Sequence, residues 1–179
     1  MTTIDVRPRP ELNGKMEPSE IAKALRDGLR SLAKAVAVIS CEHNGVRYAM
    51  TATAISELSM DPPSMLVCVN KTASLYEPLS EGAHFCINIL CSEQSEISNL
   101  CSGKAKGESR FAVGSWLWSP LGPPYLEDAQ ANIFCRNVSK NFEHGTHNVF
   151  IGEVEQVLRR DLTNPLVYMD GRYGEFASA

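Results

Sequence analysis

The sequence predicts a mainly β domain, a closed or partly closed barrel with a few flanking helices. Three observations lead there. Short apolar segments of strand length recur along the chain, separated by turn-forming residues. Segments with helical spacing are few. No internal repeat, low-complexity stretch or long linker divides the 179 residues. A single domain of this length buries roughly 70% of its unfolded surface, enough for a real core.

Taken in order, residues 1–17 hold prolines and polar breakers rather than apolar anchors, and read as a flexible N-terminal arm, extended or disordered. The domain proper is expected over 18–179. A helix starts at Ser19, a capping residue, with Ile21, Leu25, Leu29 and Leu32 at helical spacing. Ala35 to Cys41 is an apolar strand, His43-Asn44-Gly45 signals a hairpin, and Val46 to Ala54 returns as its partner. Met65 to Val69 is a short buried strand. A short helix over Leu75 to Ser80 is interrupted at Pro78, and Ala83 to Leu90 is a strand with Asn88 inside it. Ser92 caps a helix over Glu93 to Leu100. The Gly103–Gly107 stretch is a basic connecting loop. Trp116 and Trp118 share a face of extended chain, which core or dimer packing explains. Strands follow at Ala129 to Val138, His147 to Leu158 and Pro165 to Tyr168, and Asp170-Gly171 turns Tyr173 back to the fold.

The chain is organised around Thr51 to Ser74. Small and hydroxylated residues, Thr51-Ala52-Thr53-Ala54-Ile55-Ser56, leave main-chain amides accessible to a flat ligand. Pro62-Pro63 fixes the backbone ahead of the Met65–Val69 strand. That strand delivers Asn70-Lys71-Thr72-Ala73-Ser74, a loop with one cation and several polar donors, suited to a phosphate. A surface for a planar ring at one end and a phosphate grip at the other is the plan of a flavin nucleotide site. Each piece alone is equally an ordinary strand, a turn or a solvated loop.

Composition narrows the classes. A hydrophobic fraction of 44%, a charged fraction of 21% and a net charge of −4 suit a globular protein and disfavour nucleic acid or an anionic membrane as partner. No apolar run approaches the ~20 residues that span a bilayer, and the N-terminus lacks a signal peptide's apolar core, so a cytoplasmic location is expected. The six cysteines show no CxxC spacing, which argues against zinc or a disulfide framework. No GxGxxG follows the first strand, so a nicotinamide nucleotide must be bound without a Rossmann device. His144 and His147, two residues apart, would fall on opposite faces of a strand and form no metal pair; no metal is expected.

The order of these pieces resembles the short-chain flavin reductases, the reductase components of two-component flavin-dependent monooxygenases. Leu25-Arg26-Asp27-Gly28-Leu29 is similar to the family's opening helix, and Ala35–Ser40 to its first barrel strand. Phe85-Cys86-Ile87-Asn88-Ile89-Leu90 with Gln94, Arg110-Phe111, and Gly145-Thr146-His147 ahead of Val149–Val154 resemble its later elements. The likeness spans about residues 20 to 175. Thr146 stands where the common family form has Asp, as in members of the 4-hydroxyphenylacetate 3-monooxygenase type. The resemblance implies a Greek-key split barrel of the FMN-binding type, usually a homodimer, that reduces FMN or FAD with NADH or NADPH for a separate monooxygenase.

On that footing Thr51, Ala52 and Thr53 are expected at the edge of the flavin ring. Ser56, Asn70, Lys71 and Ser74 are expected at the ribityl and phosphate part, with Asn88 and Gln94 finishing the pocket. Arg110 would meet a second phosphate in FAD. His147 would orient the nicotinamide, with Arg172 and Tyr173 as further candidates on that side. A flavin-binding protein without reductase activity, or a flavin-dependent oxidase of the same barrel type, remains open from the residues alone.

Overall fold

The structure, a computed structural model, describes residues 14–140, 142–161 and 163–176. Of the expected arm, residues 1–13 lie outside that set. Helix α1 (Pro18–Leu29) leads to β1 (Lys34–Ala35), β2 (Ala37–His43), β3 (Val46–Ala52), β4 (Ile55–Met60) and β5 (Pro63–Asn70). Helix α2 (Tyr76–Ser80) precedes β6 (Phe85–Ile89). A 3-10 turn (Ser92–Gln94), helix α3 (Ser95–Asn99), a π turn (Leu100–Lys104) and a second 3-10 turn (Gly107–Phe111) follow. Next come β7 (Trp116–Trp118), β8 (Pro124–Leu126), β9 (Ala131–Asn137), β10 (Glu143–His144), β11 (His147–Arg159), β12 (Leu166–Met169) and β13 (Arg172–Glu175).

The main sheet is antiparallel in the order β3-β2-β6-β9-β11-β5-β4, with β10 paired to β11. Strands β3 and β4 therefore stand at opposite edges, although only Thr53 and Ala54 separate them. A flat sheet of seven strands would hold its edges about 29 Å apart, whereas three Cα–Cα steps span about 11 Å at most. The sheet must roll until its edges meet at this corner. The two edges do not pair with each other, so the barrel is split.

Rolling leaves β2 covered on both faces. Ala37, Ile39 and Cys41 point into the barrel with Val67, Val69, Phe85, Ile87 and Phe150. Val36 and Val38 face a second cluster outside, formed with Ala49, Leu90, Ile97, Phe111 and Leu126. This double burial explains why Val36–Ile39 reads as a continuous apolar run instead of an alternating one, while exposed Ala35 of the expected strand belongs to β1. Long β11 crosses the interior at Gly152, where a Cβ would lie 2.5 Å from Cβ of Cys135 and 2.6 Å from the Phe85 ring. Only glycine fits that crossing.

Local chemistry accounts for most boundaries. Asn44-Gly45 and Asp170-Gly171 turn the β2–β3 and β12–β13 hairpins with positive φ at both central residues, 54° and 78°, then 50° and 78°. The second turn pairs Tyr168 with Tyr173 across the strands. Helix α1 begins one residue before the expected Ser19, with Pro18 in its first turn and Glu20 reaching back to the Glu17 amide at 3.3 Å. Pro78 does not interrupt α2, because it sits in the first turn, where no intrahelical amide is needed. The helix expected over 93–100 is broken: Gln94 turns back onto the Cys91 amide at 2.8 Å, and α3 restarts at Ser95. Trp116 packs edge-on against Phe111, 4.9 Å between ring centres, while Trp118 on β7 stays 57% exposed.

Asn88 holds the β7–β8 hairpin to the barrel. Its side-chain amide is fully enclosed, donating to the Val38 carbonyl at 2.8 Å and the Ser40 hydroxyl at 2.9 Å. Its carbonyl oxygen accepts from the Leu126 amide at 2.8 Å and from Asn132 at 2.9 Å. Ser40 in turn donates to the Pro124 carbonyl at 2.6 Å. Asn88→Ala should cost about 3 kcal/mol in urea unfolding, because it leaves a buried amide without its acceptor. A cost below ~0.5 kcal/mol would show the network to be dispensable.

Candidate functional site

Register brings the Thr51–Ala54, Asn70–Ser74 and His147 pieces to one end of the sheet. Ile55 faces Val67 across β4–β5, and the Cys68 amide bonds the Ala54 carbonyl at 3.0 Å. The Asn70–Ser74 loop thus leaves β5 just beyond the Thr51–Ala54 corner. On the other side of β5, His147 opens β11 directly opposite Asn70. The Lys71 amide donates to the Thr146 carbonyl at 2.9 Å, tying the loop to the β10–β11 hairpin.

The corner itself exposes main chain. Arg110 Nη1 donates to the Ala49 carbonyl at 2.8 Å, so the backbone of Ala49 faces away from β2. Alternation along an antiparallel strand puts the Thr51 backbone on the same unpaired side. The Thr51 hydroxyl donates to the Ser98 carbonyl at 2.6 Å, holding α3 against β3. Tyr173 reaches the same helix, its hydroxyl 2.8 Å from Ser98 Oγ. Ala52 is buried in the barrel core. Thr53 opens onto a cavity of about 230 Å3 that Arg26, Arg30 and Lys34 also line.

The polar loop is pre-shaped. Asn70 Oδ1 accepts from the Thr72 amide and from the Thr72 hydroxyl, each at 2.9 Å, which closes an Asx turn. Two cations flank it. Arg110 Nη1 donates to Ser74 Oγ at 2.6 Å and its Nε to the Ala105 carbonyl at 3.1 Å. Lys71 pairs with Glu143 at 2.5 Å, and Tyr76 donates to the other Glu143 oxygen at 2.8 Å. His147 is exposed, its Nδ1 2.9 Å from the Thr146 hydroxyl.

Other expected residues stand apart. Asn88, expected to finish the pocket, has its amide spent in the interior network described above. Gln94 bridges the Cys91 amide and the Asp128 carbonyl, so its polar atoms serve the fold. Ser56 lies on the exposed edge strand β4, its hydroxyl on the Glu57 carbonyl at 3.1 Å. Arg172 pairs with Asp170 at 3.1 Å with its side chain 80% exposed, and hydrogen bonds from Arg30 and then Arg172 hold the Asp170 carboxyl below the usual range. His144 and His147 do not take opposite faces. The two-residue turn Gly145-Thr146 makes them cross-strand partners on one face, a correction that follows from the hairpin. Ser98, Tyr76 and Glu143 were missed. Their sequence surroundings carry no ligand signal, and only tertiary pairing brings them to the site.

The cysteines are free thiols. Burial pushes Cys41 and Cys135 up to about 12 and Cys101 up to about 11, and raises Cys86 and Cys91 as well. At pH 8 the folded protein should therefore resist mild alkylation at Cys41, Cys86, Cys101 and Cys135, as mass spectrometry would detect. Raised thiols stabilise the fold fully below their ordinary pKa of 9.0, and that contribution erodes as pH climbs towards their folded values. Rapid labelling of these four at pH 8, with the fold intact, would contradict this assignment.

A family model described as a flavin reductase like domain matches residues 29–177. The chain is 36% identical over 155 residues to an FMN reductase (NADH), RutF, of Pseudomonas syringae, covering 87% of this chain and 86% of that protein. It is 36% identical over 160 residues to the reductase component of an FADH2-dependent resorcinol hydroxylase from a Rhizobium species, covering 88% and 89%. Among solved structures, BorF, the flavin reductase component of a bacterial two-component tryptophan halogenase, superposes with a TM-score of 0.79 at 26% identity, covering 88% of this chain and 99% of that one. The flavin reductase HpaC complexed with NADP+ superposes with a TM-score of 0.79 at 25% identity, again covering 88% and 99%.

Proposed function

This chain belongs to the flavin reductase-like family, and from that premise we propose that it uses NADH to reduce a flavin nucleotide, FMN or FAD, for a separate monooxygenase. One observation carries the reading. The edge of β3 that is unpaired at Thr51 and a polar loop at Asn70–Ser74, flanked by two cations, lie at the same end of the split sheet.

A flavin held there would supply the redox chemistry, as the hydride acceptor for a nicotinamide. The chain's own residues hold and orient. Main-chain donors around Thr51, Ala52 and Thr53 meet the ring edge and favour negative charge there. Lys71 and Ser74 take the phosphate, Asn70 shapes their loop, and Arg110 supplies a second cation behind Ser74. His147, exposed beside Asn70, orients the nicotinamide, and positioning alone accounts for much of the rate. Tyr173, anchored through Ser98 to the Thr51 strand, is the next candidate on that side, ahead of Arg172.

We infer a single domain over 18–179 and a homodimer. Ile21, Leu25 and Leu29 on α1 are 48%, 59% and 43% exposed at helical spacing, and Val157 and Leu158 are open on β11. A second copy would cover such apolar surface. Among the described residues no helix is long and apolar enough to cross a membrane. Free thiols suit the reducing cytoplasm, where we place the reaction.

Lys71→Ala should weaken FMN about tenfold or more, roughly 1.5–3 kcal/mol, and riboflavin far less, because riboflavin has no phosphate. Equal weakening of both flavins would move Lys71 out of the phosphate site. His147→Ala should leave the flavin dissociation constant unchanged and slow single-turnover reduction by NADH about ten- to a hundredfold. If the variant instead lost flavin while bound flavin was still reduced quickly, His147 would belong to the cofactor pocket.

A further inference from the structure

The loop that grips phosphate in this reading carries a resident anion. Lys71 Nζ lies 2.5 Å from Glu143 Oε2, and the Tyr76 hydroxyl donates to Oε1 at 2.8 Å. The Tyr76 ring packs edge-on against fully buried Phe150, 6.1 Å between centres, so the carboxylate is fastened from the core side. Its hairpin is joined to the loop by the Lys71–Thr146 main-chain bond and by the Asn70–His147 pairing. Lys71 and Glu143 are thus held together by main chain and by packing as well as by charge.

The two cations of the loop differ in consequence. Arg110 donates to three neutral oxygens, on Ser74, Ala49 and Ala105, and among the described residues no carboxylate pairs with it. Lys71 is already neutralised. An arriving phosphate therefore meets a net charge near +1 in place of +2, and it must displace Glu143 from Lys71 or share the ammonium with it. Phosphate and carboxylate oxygens are the same kind of acceptor, so they compete for the same donors.

We propose that Glu143 sets how tightly the phosphate end of the flavin is held, by occupying Lys71 and keeping a negative charge beside it. The proposal rests on the reading of Lys71 as a phosphate ligand. Its consequence is a flavin that departs readily, which suits a protein passing reduced flavin to another. Glu143 acts through Lys71 and is a positioning residue; it touches no reacting atom.

The test is titration of FMN and riboflavin, followed by flavin fluorescence, against the wild type, Glu143→Gln, Glu143→Asp and Lys71→Ala. Glu143→Gln should tighten FMN roughly three- to tenfold and slow its dissociation, while riboflavin stays within about twofold. Glu143→Asp keeps the charge and should bind FMN as the wild type does. Glu143→Ala is the second neutral variant and should shift FMN in the same direction as Gln. Suppose FMN binding is unchanged or weakened in both neutral variants, while Lys71→Ala still separates FMN from riboflavin. Then the role of Glu143 is overturned and the phosphate site stands. If Lys71→Ala does not separate the two flavins, the phosphate reading fails and this proposal falls with it.

Discussion

Because β3 and β4 follow each other in the chain yet occupy opposite edges of one sheet, Thr53 and Ala54 must carry the backbone across the seam of a barrel that never closes. Much else follows from that crossing. It forces the roll of the sheet, and the roll in turn buries β2 on both faces. It also leaves two unpaired edges. Those edges are a liability in most β proteins. Here one is braced by the segment from Ser95 to Phe111, through Thr51 on Ser98 and Arg110 on Ala49. A planar group that needs main-chain donors finds them only where a sheet has failed to pair.

A platform for such a ligand has to be stiff. The apolar barrel interior supplies part of the stiffness, and the Asn88–Asn132–Ser40 network supplies the rest by fixing the β7–β8 hairpin outside. With every polar atom of the Asn88 amide paired, the network carries no unsatisfied group that would loosen it. The site end contrasts with this. There Lys71 and Glu143 pair with each other while 34% and 37% exposed, and Arg110 donates to neutral oxygens alone. Rigid support beneath exchangeable contacts is the physical form expected of a protein that binds a cofactor and then releases it.

Much of this was legible in the sequence, and the failures have identifiable causes. The Asn-Gly turn, the apolar β2 and the polar loop after β5 could be read because local chemistry decides them. Strand β4 could not. As an edge strand exposed on both faces, ISELSM shows no apolar alternation. Asn88 suggested a pocket residue because a polar side chain inside a strand has two explanations, and only the neighbours on β2 and β8 distinguish them. Gln94 misled for the same reason. The partnership of Lys71 with Glu143 spans 72 residues and depends on the β5–β11 register, which no local pattern encodes. The family resemblance supplied the order of the site pieces, while the geometry shows which of their polar groups are already committed to the fold.

We propose that the flavin lies at the seam, between the Thr51–Ala54 corner and the Asn70–Ser74 loop. Amide hydrogen exchange with and without saturating FMN tests it most directly. Exchange should slow in peptides covering residues 50–57 and 70–76 and stay unchanged over residues 85–90. Protection confined to the cavity around Leu166, Tyr173 and Glu175, with residues 50–57 exchanging as before, would contradict it.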